Sequence, residues 1–399
     1  MLSAQYCPTH RRRGVVRYRP VGDTGTEVSA LGIGTMRFKD RENAARMIER
    51  ELELGLTYFD IGSAYSYKDF DENAETWVGA AIAGKDRSQM VISAKAQPRH
   101  GEPQVDRGLG ISTRDQMAQC IDNSLQRVGV QHFDFYQLWD MSAADHFEAA
   151  CAGNDSPLAA MRQARDQGLV RHLGFTSHGG ADDILSWLQQ VPDFRFVTIY
   201  YNFNDRYPER VLEYCLEHQV GVCIMGPLRG GLLTGSSEVF AQHLPALAGM
   251  PVQEIALRFL LGSPAVSTVI SGMNEIAHLE ENAAVASLED PMPLDQRAQF
   301  IEAFREFSQG QELCTACRYC AGKCPEGLNV SHLMGLLQLH DVFGLSTADP
   351  QIKALAGNER QNPAKCVACG ACVEACPQDL DIPGRMDRFT VLIEELTSA

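Results

Sequence analysis

Residues 56–96 read LTYFDIGSAYSYKDFDENAETWVGAAIAGKDRSQMVISAKA. A short apolar run, LTYFDIG, leads into a helical pattern, ETWVGAAIAG, that stops on a glycine, and a second apolar run, MVISAKA, follows. Strands joined through a helix belong side by side and parallel, because a direct hairpin cannot join parallel neighbours. The unit recurs on both sides. Before it stand ALGIG and ENAARMIERELELG; after it come FDFYQLW, VRHLGFTS, FRFVTIYYN, VGVCIMG and VSTVISG. The intervening helical patterns are TRDQMAQCIDNSLQRVG, PLAAMRQARDQG, ADDILSWLQQ, PERVLEYCLEHQ and PVQEIALRFLLG, with EIAHLEENAAVASL after the last strand. Several close on glycine, as helix C-termini often do. Eight strand–helix units between Val28 and Leu288 fit a closed (β/α)8 barrel better than an open doubly wound sheet. No G-x-G-x-x-G opens the first unit; GIGTM at Gly32 has two glycines only.

The last quarter reads differently. Of thirteen cysteines, eight lie in it. Cys314, Cys317, Cys320 and Cys324 precede Pro325, and Cys366, Cys369, Cys372 and Cys376 precede Pro377, both runs following C-x2-C-x2-C-x3-C-P. Zinc sites usually pair two C-x2-C units across a dozen or more residues. Three cysteines within seven residues instead wrap corners of an iron–sulfur cube, and the fourth reaches the other cluster. We therefore expect two 4Fe–4S clusters: one on Cys314, Cys317, Cys320 and Cys376, the other on Cys366, Cys369, Cys372 and Cys324. Small residues such as Ala316, Ala368, Gly370 and Ala371 let backbone N–H groups approach the sulfurs. The helical run DQRAQFIEAFREFSQ and a short linker, SQGQE, separate the parts, so we expect a barrel domain over 1–305 and a smaller, mostly helical ferredoxin-like domain over 306–399. VSHLMGLLQLHDVFG, between the runs, reads as a core helix of that domain. Cys120 and Cys215 sit in helical patterns and read as small core residues.

Bulk properties exclude some classes. A net charge of -16 speaks against a nucleic-acid binder, which would show a basic face. No apolar run approaches the roughly 20 residues that cross a bilayer. No apolar stretch follows Arg11, Arg12 and Arg13, so a solvated arm is expected there rather than a secretory or twin-arginine signal. Cysteine-rich chains in the cytosol use their thiols for metal or catalysis; a cytoplasmic, iron-bearing protein is expected.

In a barrel of this kind the active site lies at the C-terminal ends of the strands. Asp60 ends LTYFD, Tyr65 follows in DIGSAY, and Lys95 ends VISAK. Singly they pass for a turn residue, a loop aromatic and a surface lysine. Together they form an acid: a buried lysine cation lowers the tyrosine pKa and an aspartate makes that cation tolerable inside. The phenol can then give a proton to a carbonyl oxygen while a hydride reaches the carbon.

From Tyr18 to Leu288 the chain resembles the aldo-keto reductases: RPVGDTGTEVSALGIGTMRF looks like that family's opening. With IMGPLRGGLL, VISGM and the cysteine tail, it is similar to the family's ferredoxin-bearing branch. The resemblance implies this barrel, a nicotinamide hydride donor, NADP or NAD, and catalytic roles for Asp60, Tyr65 and Lys95. It also implies cofactor contacts at Gly34, Thr35 and Met36, at Thr176 and Ser177 on the carboxamide, and at Thr198, where many members have glutamine. Met225 stands where many have tyrosine, and Gly226, Pro227 and Leu228 follow it. Ser271, Gly272, Met273, Glu281 and Asn282 match the adenosine and phosphate end. Two departures stand out. The fourth catalytic position, usually histidine, is Trp139, whose indole donates one hydrogen bond and cannot titrate. His278 stands where NADP-preferring members often carry arginine. His178 is a candidate for the missing polar group.

The expected function is therefore hydride transfer between NAD(P)H and a carbonyl or conjugated enone, with two 4Fe–4S clusters for electron transfer. Its rival is a nicotinamide-sensing or electron-relay protein whose barrel is catalytically altered at Trp139. Splitting a hydride pair into single electrons usually needs a flavin. The sequence carries no flavin motif, though barrels can bind flavin phosphate without one. A small carbonyl or enone and a soluble ferredoxin are the expected partners; nucleic acid and membrane are not.

Overall fold

In the computed structural model, the eight expected runs are eight parallel strands that close on themselves. Residues 16–99, 102–235, 238, 242, 247–311, 314, 319–376 and 380–398 are described. A short antiparallel hairpin, β1 (Tyr18–Pro20) and β2 (Glu27–Ser29), comes first. The barrel strands are β3 (Leu31–Gly34), β4 (Tyr58–Asp60), β5 (Val91–Ala96), β6 (Phe133–Leu138), β7 (Val170–Ser177), β8 (Phe194–Tyr200), β9 (Gly221–Met225) and β10 (Thr268–Ser271). Each pairs with its sequence neighbours, and β10 closes the ring on β3 through Val269 and Leu31. Between them run α1 (Arg41–Glu53), α2 (Ala74–Ile82), α3 (Arg114–Val128), α4 (Ala144–Cys151), α5 (Pro157–Asp166), α6 (Ala181–Gln190), α7 (Glu209–Glu217) and α8 (Val252–Leu261), with α9 (Ile276–Ala286) after β10.

Local chemistry starts these helices where the chain needs them. Asn73 and Thr113 head α2 and α3 with reciprocal capping boxes, and Gly129 ends α3 in the left-handed conformation, at φ 71°. Successive side chains of a strand point to opposite faces, with one register shift in the β7–β8 pairing between Leu173 and Gly174. Lumen positions therefore run Tyr58 then Asp60 on β4, Ser93 then Lys95 on β5, Phe135 then Gln137 on β6, and Phe196 then Thr198 on β8. At the N-terminal end the lumen is packed by Tyr58, Phe135, Phe196, Cys223 and Ile270, with Val21 and Val28 of the hairpin pressed against them. The polarity changes upward. The aromatic plug gives way to Ser93, Gln137, Thr198, Asp60 and Lys95, all buried.

The hairpin was not read from the sequence. Its turn, VGDTGT, carries Gly22 at φ 52° and Gly25 at φ 73°, conformations open to glycine. Beyond the barrel, α10 (Leu294–Gln311) continues through most of the stretch read as a linker. Residues 308–311 are thus helical, and the division proposed after residue 305 falls inside this helix. The tail then forms α11 (Val330–Leu337), α12 (Asp349–Ala354), a one-turn α13 (Ala371–Glu374) and α14 (Ile382–Ser398). Its apolar residues, Leu333, Met334, Leu336 and Phe389 among them, join one continuous core with the barrel's. α11 is the expected core helix, with Val330, Leu333, Met334, Leu336 and Leu337 buried.

The tail sits on the barrel at the ends of β8 and β9. Gln338 Nε2 donates to Asn204 Oδ1 at 3.0 Å, and Thr347 Oγ1 donates to the Leu232 carbonyl at 2.6 Å. Gly335 lies flat on Arg229: a Cβ there would stand 2.2 Å from a guanidinium nitrogen. Phe343 and Phe304 of α10 meet at 5.5 Å between ring centroids. No helix among the described residues is long and apolar enough to cross a membrane.

Candidate active site and cluster-bearing tail

A cleft of about 1880 Å³ opens above the polar end of the lumen. Asp60, Tyr65, Lys95 and Trp139 all line it. Lys95 Nζ is paired with Asp60 Oδ1, both side chains being nearly inaccessible. The Lys95 ammonium stands 5.1 Å from the Tyr65 ring centroid and 5.9 Å from the Trp139 ring. Tyr65 and Trp139 meet edge to face, centroids 5.3 Å apart. Trp139 thus fills the flank of the phenol.

Electrostatics favour a charged lysine and a neutral phenol. Burial opposes the Lys95 charge, but Asp60 and Tyr65 together outweigh it, and its pKa is raised. Burial also pushes the Tyr65 phenol up, more than the nearby Lys95 pulls it down, while Asp60 adds to the rise. This corrects the expected downward shift. Desolvation of the phenolate is the larger effect.

Beneath them lies a residue that the sequence reading passed over. Gln137 Nε2 donates to Ser93 Oγ at 2.8 Å and to Asp60 Oδ2 at 3.3 Å, while Thr198 Oγ1 donates to Gln137 Oε1 at 2.6 Å. One buried amide therefore ties the Asp60–Lys95 pair to Thr198. The signal was present: a glutamine in the middle of FDFYQLW, an otherwise apolar, fully buried strand.

Most of the residues expected at a nicotinamide line the cleft: Gly34, Met36, Thr176, Thr198, Met225, Gly226, Pro227, Leu228, Ser271, Gly272, Met273, Glu281 and Asn282. Thr176 Oγ1 accepts from the Asp140 N–H at 2.8 Å, which leaves its hydroxyl hydrogen to donate. Thr198 spends its hydrogen on Gln137, which leaves its lone pairs to accept. Asn282 Nδ2 donates to Ser271 Oγ at 3.3 Å. Glycines cradle the space: a Cβ on Gly226 would stand 2.2 Å from the Tyr200 ring. A carboxamide-bearing ligand fits this donor set.

Two expected contacts do not line the cleft. Thr35 Oγ1 donates to the Asp60 carbonyl at 3.0 Å, and Ser177 Oγ donates to the Met141 carbonyl and accepts from Gly179 N–H at 2.9 Å. On β7, alternation is the reason: with Thr176 facing the lumen, Ser177 faces away; Thr35 opens the 3-10 turn that follows β3. His178 is exposed at the rim, its ring 5.5 Å from that of Tyr200. His278 also lines the cleft.

In the tail, Cys317 lies outside the described residues, as do Ala316, Pro377 and, at the other end of the chain, Cys7 and Arg11, Arg12 and Arg13. Cys369 is exposed, Cys372 is buried, and Cys314, Cys320, Cys324, Cys366 and Cys376 lie between; none of the described cysteines forms a disulfide. Burial pushes the Cys372 thiol up, and the fields of Cys366, Cys369 and Cys324 add to the rise. The field of Cys324 in the first run therefore reaches Cys372 of the second. Among the described residues no group of three His, Cys, Asp or Glu is drawn close enough to hold a metal ion. A cube of iron and sulfide holds its ligands farther apart than a single ion does, so an all-thiol set of this kind still fits a cluster. Cys120 and Cys215 are buried in helices as expected, their thiols pushed up to about 12 by desolvation.

Both parts of the chain resemble known protein families. The sequence profile of the aldo/keto reductase family matches residues 30–300, and that of a 4Fe-4S dicluster domain matches residues 307–377. An uncharacterized oxidoreductase, YqkF, of Bacillus subtilis (strain 168) is 25% identical over 295 residues, spanning 68% of this chain and 92% of its own. L-galactose dehydrogenase of Arabidopsis thaliana is 24% identical over 319 residues, spanning 73% and 95% respectively. Aldo-keto reductase AKR11C1 from Bacillus halodurans (holo form) shares the fold, with TM-score 0.60 at 23% identity over 72% of this chain and 96% of that one. The family profile covers well over half of the sequence, and its span is the barrel that holds Asp60, Tyr65 and Lys95. The chain belongs to the aldo/keto reductase family, and a 4Fe-4S dicluster domain follows its barrel.

Proposed function

We propose that the protein is an NAD(P)-linked oxidoreductase that moves hydride between a nicotinamide and a carbonyl or conjugated enone, with two 4Fe–4S clusters in its tail. The observation that carries this reading is the Asp60–Lys95 pair beside Tyr65 at the floor of one cleft. Bound nicotinamide supplies the hydride; the protein does the rest. Thr176, with its hydroxyl hydrogen left to donate, and Thr198, with its lone pairs left to accept, would hold the carboxamide. Met225 would flank the nicotinamide, and Ser271, Gly272, Met273, Glu281 and Asn282 would hold the other end of the dinucleotide. Tyr65, held neutral by burial, gives its proton to the substrate oxygen as negative charge grows there. Lys95 stabilises the phenolate left behind, and Asp60 keeps Lys95 charged through the cycle.

The crossed ligand sets given above hold the clusters: Cys314, Cys317, Cys320 and Cys376, and Cys366, Cys369, Cys372 and Cys324. Each is an all-thiolate donor set suited to one-electron chemistry. A soluble ferredoxin is the partner class this chemistry suits, in a cytoplasmic setting. The division into 1–305 and 306–399 remains our proposal for the two functional parts.

A second reading has one observation in its favour. Trp139 offers no titratable group and packs edge-on against Tyr65, as a barrel that senses nicotinamide without turning over substrate could tolerate. Anaerobic assay with NADPH and NADH against aldehydes, ketones and enones separates the two. Turnover lost in Tyr65→Phe supports the enzyme. Tight nicotinamide binding with no turnover on any of them supports the sensor.

A further inference from the structure

The cleft above Tyr65 has walls of two origins. The barrel's loops supply one, and the tail supplies the other through Tyr319, Asn329, Ser331 and His332. Tyr319 stands between Cys317 and Cys320 in the first cysteine run, and 55% of its surface is open. His332 is exposed in the first turn of α11, its backbone N–H donating to the Asn329 side chain at 3.3 Å. Ser331, beside it, is buried.

This second wall is fixed in place. α11 rests on the barrel through Gly335 against Arg229, and the turn that follows it through Gln338 on Asn204. Arg229 is itself buried and lines the cleft, so the seam and the cleft share a residue. The space is also larger than one ligand needs. Sites for drug-sized molecules run to about 1,000 Å³, and this one measures about 1880 Å³. A dinucleotide and a second molecule fit together.

We propose that Tyr319 and His332 belong to the ligand site, so that cleft occupancy is felt at the cluster expected on Cys314, Cys317, Cys320 and Cys376. The inference rests on the proposed nicotinamide and cluster assignments. Its physical content is solvent exclusion and hydrogen bonding. A cluster's properties follow the exposure of its surroundings and the hydrogen bonds near its sulfurs. A ligand that covers Tyr319 removes water beside Cys320, the next residue in the chain and an expected ligand of that cluster. Tyr319, His332 and Asn329 bring a phenol, an imidazole and an amide to the cleft lining. They suit the polar groups of a bound dinucleotide. The second run is the internal control: none of its described residues lines the cleft, and Cys369 and Val367 face outward, Val367 being 59% exposed.

Dithionite-reduced holoprotein, kept anaerobic, tests this by electron paramagnetic resonance with and without NADPH. Tryptophan fluorescence reports binding in the same samples. Binding is expected to shift one of two cluster signals and to leave the other unchanged. Tyr319→Ala is expected to abolish the shift. His332→Ala, away from any cysteine, covers the case in which Tyr319→Ala assembles poorly, and it is expected to remove at least half of the shift. NADPH binding that moves neither signal, or a full shift retained in both variants, overturns the inference and leaves the nicotinamide site standing. Absence of NADPH and NADH binding to the holoprotein overturns both.

Discussion

The chemistry turns on Tyr65, and its environment fixes the direction of the pH dependence. Its pKa is raised above the ordinary tyrosine value near 10. The proton-donating form therefore persists through the neutral range, and reduction should show a flat kcat from about pH 6 to 9, falling only at higher pH. The reverse reaction needs the phenolate and should speed up with pH. A reduction rate that halves between pH 6 and 9 would contradict this assignment. Gln137 acts through others: its Leu variant leaves Asp60 Oδ2 and Thr198 without their amide partner. Unmade buried hydrogen bonds cost about 1–3 kcal/mol, so a roughly 10- to 100-fold fall in kcat/KM is expected. Because Thr198 is part of the proposed carboxamide site, the nicotinamide KM should rise as well; an unchanged KM with a lower melting temperature would reduce Gln137 to a packing role. Trp139→His should raise turnover of simple aldehydes, and no gain would show that the indole does not limit that reaction.

At the scale of elements, what the sequence made legible follows a physical rule. Eight apolar runs separated by amphipathic ones were readable because a buried parallel strand and a surface helix have different periods. Thr176 and Ser177 were read together as binding; at the end of β7 Thr176 lines the cleft while Ser177 Oγ donates to the Met141 carbonyl. The β1–β2 hairpin escaped because three-residue strands carry little periodicity. α2 and α3 are locked by Arg127 Nε on Glu75 Oε2 at 2.8 Å, with Ser124 Oγ on Glu75 Oε1 at 3.0 Å, all buried. Arg127→Met strands Glu75 without its cation and should cost about 3–5 kcal/mol of stability, read as a lowered melting temperature. Glu51 of α1 shows the opposite case. It is fully buried, finds no hydrogen-bond partner among the described residues, and desolvation raises its pKa to about 8. Folded protein thus keeps the proton that unfolded protein releases above about pH 4.3. The native state binds more protons, so stability falls as pH rises from about 4.3 to 8, by on the order of 5 kcal/mol. Glu51→Gln should remove that slope, matching the native protein near pH 4.5 and exceeding it at pH 8. Equal melting temperatures at both pH values would show that the carboxyl is not held neutral.

Across the whole molecule, the tail's cysteine spacing was legible and its position was not. Spacing along the chain fixes which thiols can share a cluster, whereas docking on the barrel depends on contacts such as Gly335 with Arg229 that no local pattern announces. The crossed ligand sets make a direct prediction. Cys324→Ser should lower iron content by about half, and adding Cys369→Ser should take no further iron, because both serve one cluster. Pairing Cys324→Ser with Cys314→Ser should remove nearly all of it. Iron lost additively in the first pair would uncross the sets.

One measurement bears most directly on the hydride account. Anaerobic protein is given NADPH or NADH carrying deuterium on the transferring face, together with a conjugated carbonyl, and the product is analysed by mass. We expect one deuterium on the reduced carbon, with Tyr65→Phe binding nicotinamide as before while forming product about 10²- to 10⁴-fold more slowly. Product free of deuterium, or formed at an undiminished rate by Tyr65→Phe, would contradict it.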